Sequence, residues 1–257
     1  DKELIFKWIN HRVLFRQRWG YKRGKQDAAK FLKYEEDVVE PTYQTLKAEL
    51  LDKNIFEPIA IYAYYPCISW DNKIYIFDKK YLFNSLEEAK NVPPLSEAIK
   101  VLEFPRQKRK PFRCIADFFA NDRLDVIAFT LASAGLKISD YERSLYDKGE
   151  FTKYYQVHGL GVELAEALAE VLHKQIRLDL DIVPKEGHTL NDVQMKQYVG
   201  CRYSPGYAAC PDLAMNRDIF DLLNPEEFGI ELSETFQMHP EQTTCAIVVT
   251  HKEANYY

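Results

Sequence analysis

The sequence lacks the features that mark membrane, zinc-binding and disulfide-stabilised proteins. No apolar run approaches the ~20 residues needed to span a bilayer, and no secretory signal is visible, so a membrane partner is not expected. The six histidines form neither HxxxH nor HExxH, and no CxxC occurs, so we expect no metal site. An odd number of widely spaced cysteines predicts reduced, mostly buried thiols in a cytoplasmic protein: Cys67, Cys114, Cys201, Cys210 and Cys245.

Motifs of common enzyme classes are also missing. No GxGxxG follows a strand pattern, no GxxxxGK[ST] occurs, and no nucleophile-elbow sequence is present. Carboxylates are plentiful, but none are singled out as an acid/base pair. The formal net charge of −5 argues against a nucleic-acid partner held by bulk positive charge. A standalone hydrolase is therefore poorly supported, and we assign no catalytic residue.

What is present is a chain rich in aromatic side chains. Its 257 residues are 46% hydrophobic and 28% charged, which is ordinary for a globular protein. The 17 tyrosines and 15 phenylalanines can fill a core or line a pocket that stacks a flat ligand. The chain starts without Met and stops at "ANYY", so we expect one domain, residues 1–257, from a longer polypeptide.

Apolar periodicity predicts several helices. One extends from Gln26 to about Val39, and Pro41 fits the first turn of a second that ends near Asp52. A third is expected at about 139–156 and a short one at 191–198. "GLGVELAEALAEVLHKQIR" is a further helix, and its leucines share one face. Glu163, Glu166 and Glu170 lie on another face, which we expect to be a solvated surface with an i,i+4 pair between Glu170 and Lys174. "NRDIFDLL" is a short helix, capped by Asn216 or by Asp212.

Runs of β-branched and aromatic residues predict the strands. Two of them surround Asp71-Asn72 and predict a hairpin, and residues 98–104 form another candidate. "CIADFF", "VIAFTLASAG", "ELSETFQM" and "TTCAIVVTH" also predict strands. The elements show no βαβα regularity, so the fold class is α+β: a single domain with a twisted, largely antiparallel β-sheet flanked by helices. The basic stretch "PRQKRKPFR" (105–113) is expected to be a solvated connection.

One stretch, "CRYSPGYAACPD" (201–212), has little apolar periodicity to explain it. Its Pro-Gly pair can bring bare backbone groups close to a ligand, and Arg202 can offer a planar fork to a carboxylate. Tyr207 adds a ring and a hydroxyl. Taken alone, the stretch favours an ordinary surface turn, and a ligand site is the alternative.

Several blocks resemble one family. "RYSPGYAACPD" resembles the RxxxGY loop of the activation (reactivation) domain of cobalamin-dependent methionine synthase. "HGLGVELAEALAEVLHKQIR" is similar to that family's LAEAxAEYLHxxVR helix. "GIELSETFQMHPEQTTCAIVVTHKEANYY" resembles its closing segment, "CIADFF" its LADF strand, and "INHRVLFRQRWGYKRG" its N-terminal aromatic segment. These blocks follow the family's order and cover essentially the whole chain.

The resemblance implies a role in methionine biosynthesis. In that family the domain binds S-adenosyl-L-methionine (AdoMet) and presents its methyl group to cob(II)alamin during reductive methylation, which reactivates the methyltransferase. Cobalamin is held mainly by a partner domain, and a flavodoxin or equivalent reductase supplies an electron. The cofactor carries the hard chemistry, so absent acid/base groups are expected. The chain would thus be part of a methyltransferase and not catalytically complete alone.

The resemblance also implies residue roles. Arg202 would bind the AdoMet carboxylate, and Tyr207 would close the loop. The adenine and ribose would meet Gly206 and the backbone of Tyr203, Ser204 and Ala208. Glu166 matches a helical glutamate near the ligand, although a solvated surface remains an equal alternative. The terminal pair, Tyr256 and Tyr257, would border the ligand.

Asn10 departs from the family pattern. It stands where some members carry an aspartate that holds the AdoMet ammonium, and an amide lacks that negative charge, so the contact should be weaker. Either Asn10 substitutes for the aspartate or a nearby carboxylate does. The Asn10 departure leaves one alternative open, a docking module for a corrinoid protein or flavodoxin with weak or no AdoMet binding. A separately encoded activation subunit is the other alternative.

Overall fold

The computed structural model describes residues 1–182 and 198–255. Helices and strands alternate irregularly along the chain. The α-helices are α1 (Lys2–Phe6), α2 (His11–Val13), α3 (Ala28–Tyr34), α4 (Glu40–Asp52), α5 (Leu86–Ala89), α6 (Leu136–Asp147), α7 (Phe151–Asp179) and α8 (Met215–Leu223). The strands are β1 (Ile59–Trp70), β2 (Lys73–Ile76), β3 (Lys100–Glu103), β4 (Asp125–Ser133), β5 (Cys201–Tyr203), β6 (Glu231–Leu232), β7 (Met238–His239) and β8 (Thr243–Val249).

Six of these strands form one sheet in the order β3-β2-β1-β4-β8-β5, and every neighbouring pair is antiparallel. The tight turn at Asp71-Asn72 sets the register of the β1–β2 hairpin, in which Trp70 pairs with Lys73. Strands β6 and β7 form a separate two-stranded ribbon. The expected α+β class with a largely antiparallel sheet is confirmed.

The central strand β4 separates two apolar cores. Successive side chains of a strand point to opposite faces. Ile127, Phe129 and Leu131 accordingly belong to the core that contains α8, whereas Ala132 belongs to the core that contains α7 and the N-terminal aromatic residues. The long helix α7 therefore lies across one face of the sheet, where it can form the wall of a site.

The boundary between α6 and α7 differs from the prediction. A helix was expected to end at about residue 156, before "GLGV", but α7 begins at Phe151 and continues through both glycines. The break lies at Gly149, whose φ of +76° favours glycine. Gly159 is needed for packing, because a Cβ there would lie 3.0 Å from Arg18 Cβ and 3.0 Å from Trp19 Cδ1.

Two strand predictions were also wrong. "CIADFF" forms a 3₁₀ turn at Ile115–Phe118, because the Asp117 side chain accepts the Cys114 N–H at 2.9 Å and closes the turn. "ELSETFQM" forms only β6 and β7, which are joined by a turn. The cap of α8 is not Asn216, which lies buried inside the helix and donates to the Phe236 carbonyl at 3.0 Å. The helix expected at 191–198 lies mostly outside the described residues.

All five cysteines are buried, as their spacing predicted. Within residues 1–182 and 198–255, no helix is both long and apolar enough to cross a membrane. The same residues contain no group of three or more side chains placed to hold a metal ion.

Candidate functional site

A folded-back loop follows β5 at the edge of the sheet. Gly206 adopts φ +91°, a conformation that side chains disfavour, and its N–H donates to the Cys210 carbonyl at 2.8 Å. The Cys210 N–H in turn donates to the Tyr207 carbonyl at 2.9 Å. The Pro205-Gly206 turn thus holds residues 204–210 against the sheet with their backbone on one side of a cavity.

The cavity encloses about 400 Å³, which is within the usual range for small-molecule sites. Its floor comes from β4 and β8, one wall comes from α7, and the loop forms the opposite wall. The lining residues are Thr130, Glu166, Ala169, Arg202, Tyr203, Ser204, Tyr207, Ala208, Ala209, Cys210, Thr244, Cys245 and Ala246. Most of these side chains are small, so the backbone of the loop and of β8 is accessible to a ligand.

Arg202 is the principal charge in this cavity. It is 9% exposed, and its Nη2 donates to Glu170 Oε1 at 2.7 Å and lies 3.8 Å from Glu166 Oε2. Both glutamates project from α7, one turn apart. An arginine guanidinium carries five N–H donors, so this type of group can bind more than one carboxylate. The positive charge of Arg202 and the negative charges of Glu166 and Glu170 therefore lie side by side at the cavity wall.

A second layer of ionisable groups lies along α7 beyond Glu170. His173 and Arg177 are both fully buried. The Arg177 guanidinium stacks 4.4 Å from the Tyr198 ring centroid, and His173 meets the same ring edge-on. Burial, together with the charges of Arg202 and Arg177, holds the pKa of His173 well below its usual value. This imidazole is therefore neutral at physiological pH.

The two cavity thiols are protonated at neutral pH. Burial raises the pKa of Cys210 to about 12 and that of Cys245 to about 12. Cys245 Sγ donates to Asn216 Oδ1 at 3.2 Å, which fixes its orientation. Since the thiolate is the nucleophile, these thiols shape the cavity without reacting at neutral pH.

The structure gathers most of the residues to which the sequence pointed. Gly206 forms the turn that positions the loop, and the following six line the cavity: Glu166, Arg202, Tyr203, Ser204, Tyr207 and Ala208. Tyr207 is 72% exposed and stands at the rim. Tyr256 and Tyr257 lie outside the described residues. The preceding Asn255 accepts the Tyr203 hydroxyl at 2.7 Å through its carbonyl, so the end of the described chain lies beside β5.

Asn10 does not line this cavity. Its Oδ1 accepts the Val13 N–H at 3.2 Å and caps α2. It borders a separate, shallow depression together with His11, Tyr43 and Lys47. Its expected contact with a ligand stays a prediction, while the carboxylate of Glu166 stands on the cavity wall.

Sequence reasoning missed the partners that fix the acidic face of α7. That face was interpreted as solvated, yet the Glu163 carboxylate is buried and accepts from Arg18 Nε at 2.8 Å. Burial raises the pKa of Glu163 in spite of this ion pair. Glu170 pairs with Arg202, and Lys174 lies over the Trp8 ring instead of joining Glu170. In the sequence, only the i,i+4 spacing of Glu166 and Glu170 indicated that these two side chains project from the same face of the helix.

Comparison with known proteins agrees with this architecture. The model of the family described as "Vitamin B12 dependent methionine synthase, activation domain" matches residues 5–257. The chain belongs to this family. It is 34% identical over 269 residues to the methionine synthase of Mycobacterium tuberculosis (strain ATCC 25618 / H37Rv) and 33% identical over 268 residues to that of Mycobacterium leprae (strain TN). Each alignment covers 97% of this chain and 21% of the relative, so the chain spans about a fifth of their length.

A solved structure has the same fold. It is described as the MetH reactivation domain bound to AdoHcy, and it superposes with a TM-score of 0.84 over 100% of this chain and 78% of that chain. Sequence identity between the two is 22%. The expected resemblance to methionine synthase activation domains is thereby confirmed at the level of family and fold.

Proposed function

We propose that this chain binds AdoMet in the Arg202 cavity and presents its methyl group to the cobalamin of a partner domain, thereby reactivating methionine synthase. The observation that carries the proposal is the nearly buried Arg202 guanidinium on the wall of a 400 Å³ cavity. Membership of the activation-domain family supports it, as does the AdoHcy named in the description of the relative of known structure.

The charges of the cavity fit the amino-acid end of AdoMet. In an α-amino acid the carboxylate and the ammonium share one carbon, so their binding groups must also be neighbours. Arg202 and Glu166 satisfy this requirement, because their charged atoms lie 3.8 Å apart. Arg202 would bind the carboxylate and Glu166 would accept from the ammonium, with charge-assisted hydrogen bonds on both sides. This arrangement assigns to Glu166 the part that an aspartate would have at position 10.

The remaining surface fits a nucleoside. The loop backbone at Tyr203, Ser204 and Ala208 would meet the adenine and ribose, while the hydroxyls of Thr130 and Thr244 offer polar contacts on the floor. Tyr207, at the rim, can cover the ring as an aromatic lid. Because the backbone is fixed by the Gly206 turn, the cavity is already formed before a ligand arrives, which favours affinity.

The chain's contribution to the reaction is placement. AdoMet supplies an activated methyl group on its sulfonium, and the protein fixes the direction in which that group points. Arg202 and Glu166 would anchor one end and the loop the other, with the sulfonium between them. The partner cobalamin domain, a flavodoxin-type reductase and a cytoplasmic location belong to this proposal.

Calorimetric titration of the 257-residue chain with AdoMet tests the proposal. We expect a dissociation constant of tens of micromolar or tighter, equivalent to about −6 kcal/mol. Decarboxylated AdoMet is the matched ligand, because it lacks only the group assigned to Arg202, and it should bind at least about tenfold more weakly. Absence of heat with AdoMet would favour the alternative, a docking module without ligand binding.

A further inference from the structure

The basic loop at 105–113 has no part in the cavity. It carries five cations and no carboxylate, in a chain whose net charge is −5: Arg106, Lys108, Arg109, Lys110 and Arg113. A flexible solvated connection would leave these side chains mobile. The structure shows instead a loop that is fastened at both ends.

Arg106 is the anchor of this loop. Its guanidinium forms two hydrogen bonds of 2.7 Å with Asp117, donates to Asn72 Oδ1 at 2.9 Å and donates to the Phe112 carbonyl at 2.8 Å. The Gln107 N–H also donates to the Arg113 carbonyl at 2.8 Å and closes the base of the loop. The tip, residues 108–112, is therefore held in one conformation before any partner arrives, which lowers the entropic cost of binding.

The tip displays cations without counter-charges. Lys108, Arg109 and Lys110 are exposed, and none forms an ion pair with any residue of 1–182 or 198–255. Two nearby carboxylates are engaged by other cations, Asp117 by Arg106 and Glu103 by Lys73, while Asp71 lies beside Arg106 in the depression at Trp70. The tip consequently projects a net positive charge from a protein that is acidic overall.

Two exposed aromatic rings flank the same anchor. Trp70, at the end of β1, is 62% exposed and lines a shallow depression together with Arg106. Phe112 is 45% exposed, and its carbonyl is bound by Arg106. Tryptophan and arginine are enriched at the energetic centres of protein interfaces. Exposed aromatic rings surrounded by cations suit a protein surface on which carboxylates surround an apolar patch. They suit a lipid headgroup or a nucleic-acid backbone less well.

We propose that the loop tip, Lys108–Phe112, together with Trp70 forms a docking surface for the acidic reductase partner of the domain. This inference rests on the proposed function, and it specifies where that partner binds. Hydrogen bonds link the base of the loop to β5, because Arg113 donates to Asn255 Oδ1 at 2.6 Å and the Asn255 carbonyl accepts the Tyr203 hydroxyl at 2.7 Å.

The test is a titration of the 257-residue chain with a purified acidic flavodoxin, at low and at physiological ionic strength. The double charge reversal Arg109→Glu/Lys110→Glu should weaken binding at least tenfold, and the effect should shrink as salt is added. The matched control Arg143→Glu/Lys148→Glu makes the same charge change at exposed positions of α6 and the turn after it, and should weaken binding less than twofold. Phe112→Ala should weaken binding at both ionic strengths.

AdoMet affinity separates this inference from the proposed function. All three variants should bind AdoMet as the unmodified chain does, because none of the altered residues lines the cavity. Equal losses of flavodoxin binding in the two double variants would overturn the docking surface, as would intact AdoMet binding with no flavodoxin binding at all. Tighter binding of the loop to a DNA duplex or to anionic vesicles than to flavodoxin would assign the surface to another partner and also refute the inference.

Discussion

Replacing Arg202 by alanine is the most informative perturbation of the cavity. The guanidinium is 9% exposed, so water screens its contact with a ligand carboxylate only weakly. Hydrogen bonds to charged groups contribute about 1.5–3 kcal/mol each, and truncating one partner of a buried charge pair costs about 2–5 kcal/mol. We therefore expect Arg202→Ala to lose about 2–4 kcal/mol of AdoMet affinity, a roughly 30- to 700-fold rise in Kd.

The same substitution affects folding through Glu170. That side chain is 23% exposed and would lose the partner now 2.7 Å away, so we expect the free energy of unfolding to fall by about 1–2 kcal/mol. Arg202→Lys retains the charge without the fork and should give an intermediate affinity. Arg217→Ala is the control, because this exposed arginine forms a surface ion pair with Glu226, and its loss should change neither quantity by more than about 0.5 kcal/mol.

Isothermal titration calorimetry gives the affinity, and urea denaturation gives the stability. We expect the loss of AdoMet affinity to exceed the loss of stability, since the ligand would contact the guanidinium directly. An affinity loss below about 0.5 kcal/mol with Arg202→Ala would show that another group anchors the carboxylate.

Three further outcomes follow from the fold. Gly159→Ala should destabilise the protein by about 1–3 kcal/mol in urea denaturation, because the added Cβ would press on Arg18, and unchanged stability would contradict this packing. The hydrogen bond to Glu142 raises the pKa of His158 above 6.5. The stability that this pair contributes is therefore present below about pH 6.5 and is lost as the pH rises through the folded pKa. The free energy of unfolding should fall as the pH rises from 6 to 8, and Glu142→Gln should make it less dependent on pH. Cys210 should resist iodoacetamide at pH 8 until urea unfolds the chain, because its pKa is about 12; rapid alkylation of the native protein would refute its burial.

Local chemistry made much of the fold predictable. The Asp71-Asn72 hairpin, the helix that begins around Pro41 and the buried strand β4 follow from turn residues and apolar periodicity. The α6–α7 boundary could not be predicted in this way. Gly159 looks like a helix terminator in sequence, and its role is visible only when the Trp19 ring is packed against it. Tertiary contacts therefore determine where α6 ends and α7 begins.

The candidate site was predictable in part. The loop with Arg202 and Gly206 was recognisable as a motif, and five further predicted residues line the same cavity as Arg202. The distinction among the α7 glutamates was not recognisable, because it depends on partners far away in sequence: Arg18 for Glu163 and Arg202 for Glu170. Asn10 was aligned by sequence position, and the structure places it at a helix cap.

A crystal structure of the chain grown with AdoHcy shows directly whether the ligand binds in the Arg202 cavity. We expect the ligand carboxylate on the Arg202 guanidinium, its ammonium near Glu166, and its adenine against the backbone of residues 203–208. A ligand bound instead in the depression beside Asn10, or anchored with its carboxylate away from Arg202, would contradict the account.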